Sequence, residues 1–368
     1  MTRRQGLWRT GALVAGVAIA LGVLAACGGD NDSGGTATAS SDSAEVTLRL
    51  GYVTTEQHPY GQAVEFFVEQ VAEKSDGRVA IERVPTYEGG DVPLLEDVRG
   101  GAIEMASVST AIWDTQGVTA FDALQAPFLI TNYDLEREVI ESDIGDEMLD
   151  AVSEIGLVGL AIHEGGLRQP LGADAPLVTP DDFDGLKIRS VESDVLATGL
   201  RALGADPTPI PLPDVYNALR DGTVDGMEAN LGLIQVQQYY EVAEFVTGNV
   251  AFWPFPTALV MNQDAFDQLS DEDQQAIIEA GEEVPNFVFT EIFGLASGLA
   301  ETLCEEGLKF AEATEADKTA LGASGQIAIE ALSDNDQTAD FIKRIETIKK
   351  DEGLTGSPSP EVPASCQA

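Results

Sequence analysis

The sequence is short of positive charge. Only 20 lysines and arginines stand against 63 aspartates and glutamates, a formal net charge of −43 over 368 residues. Such a field repels DNA, RNA and anionic lipid headgroups, so no nucleic-acid partner is expected. Histidine is scarcer still, with only His58 and His163. HExxH, GxSxG and Walker phosphate-loop patterns are all missing. The expectation is a protein with no catalytic centre, no cofactor and no metal. A secreted enzyme working with a carboxylate pair is the alternative that acidic abundance keeps open.

Cysteine is nearly absent too, with Cys27, Cys304 and Cys366 the full set. Long apolar runs are confined to the first 26 residues, where Arg3, Arg4 and Arg9 precede GALVAGVAIALGVLAA. A basic segment followed by an apolar one is the layout of a secretory leader. The run is too short for a spanning helix, and nothing after it is apolar enough to span. Leu24-Ala25-Ala26-Cys27 resembles a bacterial lipobox. The resemblance implies cleavage before Cys27, lipidation of its sulfur and a mature protein held extracytoplasmically at the membrane. Residues 1–26 are therefore read as signal peptide, and the Gly/Ser/Thr/Asp-rich 27–45 as a flexible tether. Loss of the leader removes three arginines, leaving 17 bases against 63 acids, a net −46. An anionic ligand then needs a locally positive site. In an exported chain a Cys304–Cys366 disulfide is expected, tying down the Pro/Ser-rich tail 355–368; two free thiols are the alternative.

What is present is an α/β pattern. Val46–Val53 alternates as a first strand, and Val64, Phe67, Val68 and Val71 follow at helical spacing. Strands and helices then alternate to GLVGLAIHEG, which predicts a largely parallel sheet. One echo stands out. Val98-Arg99-Gly100-Gly101-Ala102-Ile103-Glu104-Met105 matches Leu219-Arg220-Asp221-Gly222-Thr223-Val224-Asp225-Gly226 in type. Each reads as a helix ending on a base, a glycine break and a strand. Two similar lobes facing a ligand would account for it. Ser107 and Ser109 end the strand after the first copy and are candidate hydroxyl donors. His58, after the first strand, either reaches the cleft or serves as a turn or capping residue. Trp253 and Phe255 sit among prolines, as core or as a ligand platform.

The stretch from Gly165 to Asn230 organises the rest. It holds two arginines beside predicted strands, Arg168 and Arg189. LKIRS alternates with Leu186 and Ile188 on one face, so Arg189 falls where the strand ends. Ligands in open α/β sheets collect outside the carboxyl ends of strands. A guanidinium there offers a carboxylate two parallel donors, which lysine does not match. Pro207, Pro209, Pro211 and Pro213 cannot donate to a ladder and predict an edge or connector. Asp214 is expected to cap the helix after them. Ser270 is expected to cap another, with Pro285 kinking or breaking it.

DFDGLKIRS, ALGADPTPIPLPDVYNALRDGTVDGMEA and LVMNQDAFDQLSDEDQQ together resemble the extracytoplasmic solute receptors of TRAP (tripartite ATP-independent periplasmic) transporters, over roughly Val46 to Leu354. The resemblance implies a two-lobed α/β periplasmic-binding-protein fold, type II-like, with strands crossing between lobes. It implies lobe I over 46–166, lobe II over 167–254, a return to lobe I over 255–294 and a helical completion of lobe II over 295–354. It further implies that Arg189 pairs with a ligand carboxylate, with Arg168 as second arginine and a membrane permease as partner. Departures occur at Leu212, where the family often has an aromatic, and at Ala229, where it often has Asn. Asn230, one place later, joins Arg189, Arg168, Ser109, Ser107, His58 and Trp253 as candidate ligand contacts. A monomer is expected. An ATP-driven importer's binding component and a sensor input are the competing readings.

Overall fold

The computed structural model describes residues 44–292, 298–356 and 362–368. The leader, Cys27 and the tether up to residue 43 lie outside the described residues. The fold is two-lobed, each lobe built on one mixed sheet. Lobe I uses β1 (Val46–Tyr52), β2 (Val79–Val84), β3 (Met105–Ser109), β4 (Leu157–His163) and, from much later in the chain, β10 (Thr257–Asn262), in the order β2-β1-β3-β10-β4. Lobe II uses β5 (Gln169–Gly172), β6 (Lys187–Ser190), β7 (Asp206–Pro209), β8 (Gly226–Ala229), β9 (Phe245–Thr247) and β11 (Lys309–Ala311), in the order β11-β9-β5-β8-β6-β7.

The sheets are not largely parallel. β1 runs parallel to β2 and β3, but β10 is antiparallel to both β3 and β4. Chain routing explains this. β4 leaves lobe I at His163 and β10 re-enters it at Thr257, and these two residues are register partners. A strand returning through the same passage must run the other way.

Helices cover both faces of each sheet. α1 (Pro59–Lys74) and α9 (Asp271–Phe287) bury Phe67, Val71, Ile277, Ala280 and Val284 against Leu48 and Leu50. On the opposite face α2 (Asp91–Arg99), α3 (Tyr133–Ile140) and α4 (Asp143–Ala151) bury Leu94, Leu95, Leu135, Val139 and Met148. In lobe II, α6 (Val215–Arg220), α7 (Leu231–Val236) and α10 (Leu299–Glu305) take one side, and α5 (Asp194–Ala202) with α11 (Glu315–Leu332) the other.

The sequence echo is a structural repeat. α2 ends at Arg99 and α6 at Arg220, and Gly101 (φ 71°) and Gly222 (φ 66°) occupy the left-handed region after them. The amides of Ala102 and Thr223 reach back to Asp97 and Ala218 by the same hydrogen bond. The acids before β3 and β8 act alike. Glu104 accepts the backbone N–H of Arg49 at 2.8 Å, and Asp225 that of Lys187 at 2.8 Å. Each acid, placed just before its own strand, ties a backbone amide of a neighbouring strand.

Three expectations change. Residues 295–354 do not all complete lobe II: they contain β11, and α12 (Asp336–Asp351) packs on lobe I, with Phe341, Ile342 and Ile345 in the core of Leu129, Ile130 and Leu135. The described end of the tail is held, as expected: Gln367 bridges Phe310 of β11 and the amide of Ala368 donates to the Phe310 carbonyl. Asp214 makes no capping hydrogen bond, because a 3-10 turn over Leu212–Asp214 runs directly into α6. Pro285 does not end α9, which continues to Phe287 and passes into a π turn over Val288–Ile292. Ser270 does cap α9, accepting the Asp273 amide. Cys304 of α10 and Cys366 are disulfide-bonded, with Cα atoms 5.7 Å apart.

Candidate functional site

Two chain segments cross between the lobes, 164–168 and 248–256. They pair side by side. The Arg168 amide donates to Trp253 O (2.8 Å), the Phe252 amide to Arg168 O (2.8 Å) and the Phe255 amide to Gly166 O (3.1 Å). Leu167 and Pro254 form an antiparallel bridge. Tyr60 of α1 fastens this strip, its hydroxyl donating to Gly165 O (3.1 Å) and Phe255 O (3.0 Å).

Beside the strip a cavity of about 220 Å³ opens between the lobes. Lobe I lines it with Thr54, His58, Asp91 and Ser109, and lobe II with Arg189, the Pro209–Leu212 run and Leu233. Arg168 and Phe255 come from the strip itself.

Arg189 is the penultimate residue of β6 and is 1% exposed. The proline run holds its fork. The Ile210 amide donates to Ser190 O (3.1 Å), and the Ile210 carbonyl accepts Arg189 Nε (2.9 Å). With Nε engaged, the two terminal nitrogens have no hydrogen-bond partner among the described residues. Arg168 sits over the Phe255 ring, its Cζ 3.8 Å from the centroid, a geometry that favours a cation. Its Nε is 3.3 Å from Glu228 Oε2, a charge contact whose angle falls short of a hydrogen bond. Glu228 is fully buried in β8. Burial pushes its carboxyl above the usual range, and the guanidiniums of Arg168 and Arg189 pull against that.

Asp91 opens α2 after Gly90, whose φ is 90°. Its Oδ1 accepts the Ser109 amide at 3.0 Å. Burial raises its carboxyl, opposed by that hydrogen bond and by the two arginines. His58 caps α1, its Nδ1 accepting the Tyr60 amide at 3.2 Å. Burial, helped by Arg168, lowers its pKa to about 3, so the ring is neutral. With Nδ1 accepting, the proton sits on Nε2, which is buried and has no partner among the described residues. His58 is thus both a cap and a lining residue.

Of the candidates, Arg189, Arg168, Ser109 and His58 line the cavity; Asn230, Ser107 and Trp253 do not. Asn230 is occupied: Nδ2 donates to Gly165 O (2.8 Å) and Oδ1 caps α7 through the Leu233 amide (2.7 Å). Ser107 is buried mid-strand in β3, paired with Leu259. Trp253 is core, packed on Phe252 and against Gly199. Sequence reasoning missed Asp91, Glu228 and Tyr60. The carboxylates carry no signal among 63 acids, and Tyr60 reads as an ordinary first-turn aromatic.

Comparison with known proteins fits this geometry. A family model described as bacterial extracellular solute-binding protein, family 7, matches residues 50–333. A solute-binding protein of Chromohalobacter salexigens is 32% identical over 61% of this chain and 67% of its own. The 2,3-diketo-L-gulonate-binding periplasmic protein of Escherichia coli is 26% identical over 86% of this chain and 96% of its own. A TRAP periplasmic solute-binding protein from Chromohalobacter salexigens, solved with D-glucuronate, has a TM-score of 0.76 at 26% identity, covering 82% of this chain and 99% of that one. One from a Bordetella species, with density interpreted as pantoate, has a TM-score of 0.74 at 27% identity, covering 82% and 98%. These relatives are named as receptors rather than enzymes. The chain belongs to the bacterial extracellular solute-binding proteins of family 7, the extracytoplasmic receptors of TRAP transport.

Proposed function

We propose that the protein captures an organic anion, a carboxylate, between its lobes and delivers it to a TRAP-type membrane permease while anchored by lipid at Cys27. The observation that carries the binding step is the Arg189 fork. It is buried, fixed through Nε by the Ile210 carbonyl, and keeps its terminal nitrogens free at the carboxyl end of a strand. The relatives' ligands support the reading, since glucuronate and pantoate each carry a carboxylate. The paired segments 164–168 and 248–256 are assigned as the hinge.

Calorimetry on Arg189→Lys tests it. Lysine keeps the charge and loses the fork. A charge-assisted hydrogen bond contributes on the order of 1.5–3 kcal/mol, so loss of one weakens carboxylate binding by about 10- to 100-fold. Unchanged affinity, or a best ligand with no anionic group, overturns the assignment.

A further inference from the structure

Resting on the carboxylate reading, we propose that the ligand is a small monocarboxylate with one hydroxyl beside the carboxyl group and an aliphatic body, and that dicarboxylates and polyhydroxylated sugar acids are excluded. Three features of the cavity lead there.

The first is charge. Among the described residues, Arg168 and Arg189 are the only cations lining the cavity. Arg168 already has Glu228 at 3.3 Å. Asp91 and Glu192 also line the space and repel a second negative charge. With Glu228 set against Arg168, one positive charge is left without a carboxylate in contact, which matches one ligand carboxylate. A second carboxylate would be desolvated with no cation to meet it.

The second is the wall. Val53, Val92, Ile112, Val191, Leu212 and Leu233 come from both lobes and make much of the lining apolar. Sugar hydroxyls against this surface would lose water without gaining partners. An alkyl body loses nothing there. The volume, about 220 Å³, is small for a ligand pocket.

The third is a matched donor and acceptor. Asp91 has spent Oδ1 on the Ser109 amide, leaving Oδ2 to accept. His58 presents an unpartnered Nε2–H. A hydroxyl can donate to Asp91 and accept from His58 at once. An ammonium can only donate, so it would satisfy Asp91 and oppose His58. The pair therefore selects a hydroxy acid over an amino acid.

The test is calorimetry of the whole protein with five probes: 2-hydroxy-3-methylbutyrate, 3-methylbutyrate, valine, succinate and glucuronate. The hydroxy acid is expected to bind at least tenfold tighter than 3-methylbutyrate and valine, and about 100-fold tighter than succinate and glucuronate. Asp91→Ala, at a half-buried site, should close the gap between the hydroxy acid and 3-methylbutyrate. Glu228→Gln should free Arg168 and raise succinate affinity at least tenfold. If that buried substitution fails to fold, Asp91→Ala decides alone. Succinate, glucuronate or valine binding tighter than the hydroxy acid overturns this proposal and leaves the carboxylate reading standing. If no carboxylate binds and a neutral solute does, the carboxylate reading itself falls.

Discussion

Glu136 and Glu164 are both fully buried near the hinge, and none of their four carboxyl oxygens has a hydrogen-bond partner among the described residues. Burial pushes Glu136 well above its ordinary range. Burial, and then Glu136 itself, push Glu164 to about 11. Glu164 is therefore protonated in the folded state at neutral pH. The sign of the linkage follows. A raised carboxyl pKa means the folded state holds protons that the unfolded chain has released above its model value of 4.5, so stability falls as pH rises from there toward 11. The two histidines act in the opposite direction. Burial lowers His58 to about 3 and His163 to about 4, so their contribution is present above the model value of 6.5 and lost as pH falls below it. Glu164→Gln keeps the shape and removes one titration. Its melting temperature should exceed the parent's by several degrees at about pH 9, with the gap closing toward pH 4.5. A constant gap across that range would show that Glu164 does not titrate as described. At this scale the sequence was least legible: Arg189 announced itself near the end of LKIRS, whereas a buried glutamate looks like any of the other acids until neighbours close over it.

At the scale of elements, passages with local chemistry were readable. The two helix-to-strand passages show their base, glycine and acid in order, and each residue acts within its own turn or the next strand. The proline run reads as an edge because missing N–H groups are a local property, and β7 is the edge of lobe II. What failed were partners set by distant surface. The Phe341, Ile342 and Ile345 stripe announces a helix that must bury one face, but not that lobe I supplies the cover. Asp214 sits in a good capping position, yet the preceding turn was already helical. Gly165 is required by close approach: an added Cβ would meet the Phe255 carbonyl oxygen and the Tyr60 ring. Gly165→Ala should therefore push the crossing segments apart and destabilise the protein by about 1–3 kcal/mol. A thermal melt checks it, and an unchanged melting temperature would mean the strip yields freely.

Over the whole molecule, the shortage of bases shapes where and how the protein works. Long-range attraction cannot gather an anion onto a chain of formal net charge −43. Binding must come from contacts inside the cleft, which is where Arg168 and Arg189 are buried. The same charge opposes adsorption of the folded body on an anionic membrane, so the proposed retention there would rest on Cys27. Cys27→Ser should move the protein from the membrane fraction to the soluble one, read by fractionation and immunoblot. A wild type that is already soluble would remove the anchor from the proposal. Stable anchoring takes more than one acyl chain, because a single chain binds only marginally.

The fastening of the chain's last residues to lobe II has a practical corollary. Ser365 is exposed on a turn held by the neighbouring disulfide and by the pairing of Gln367 with Phe310. Glu45 is exposed at the head of β1, and its amide is fixed to Arg78 O in lobe I. A donor dye at one and an acceptor at the other would ride on different rigid bodies, on anchored backbone rather than on floppy ends. Energy transfer between them would then act as a ruler for cleft closure, giving a real-time optical record of each capture and release.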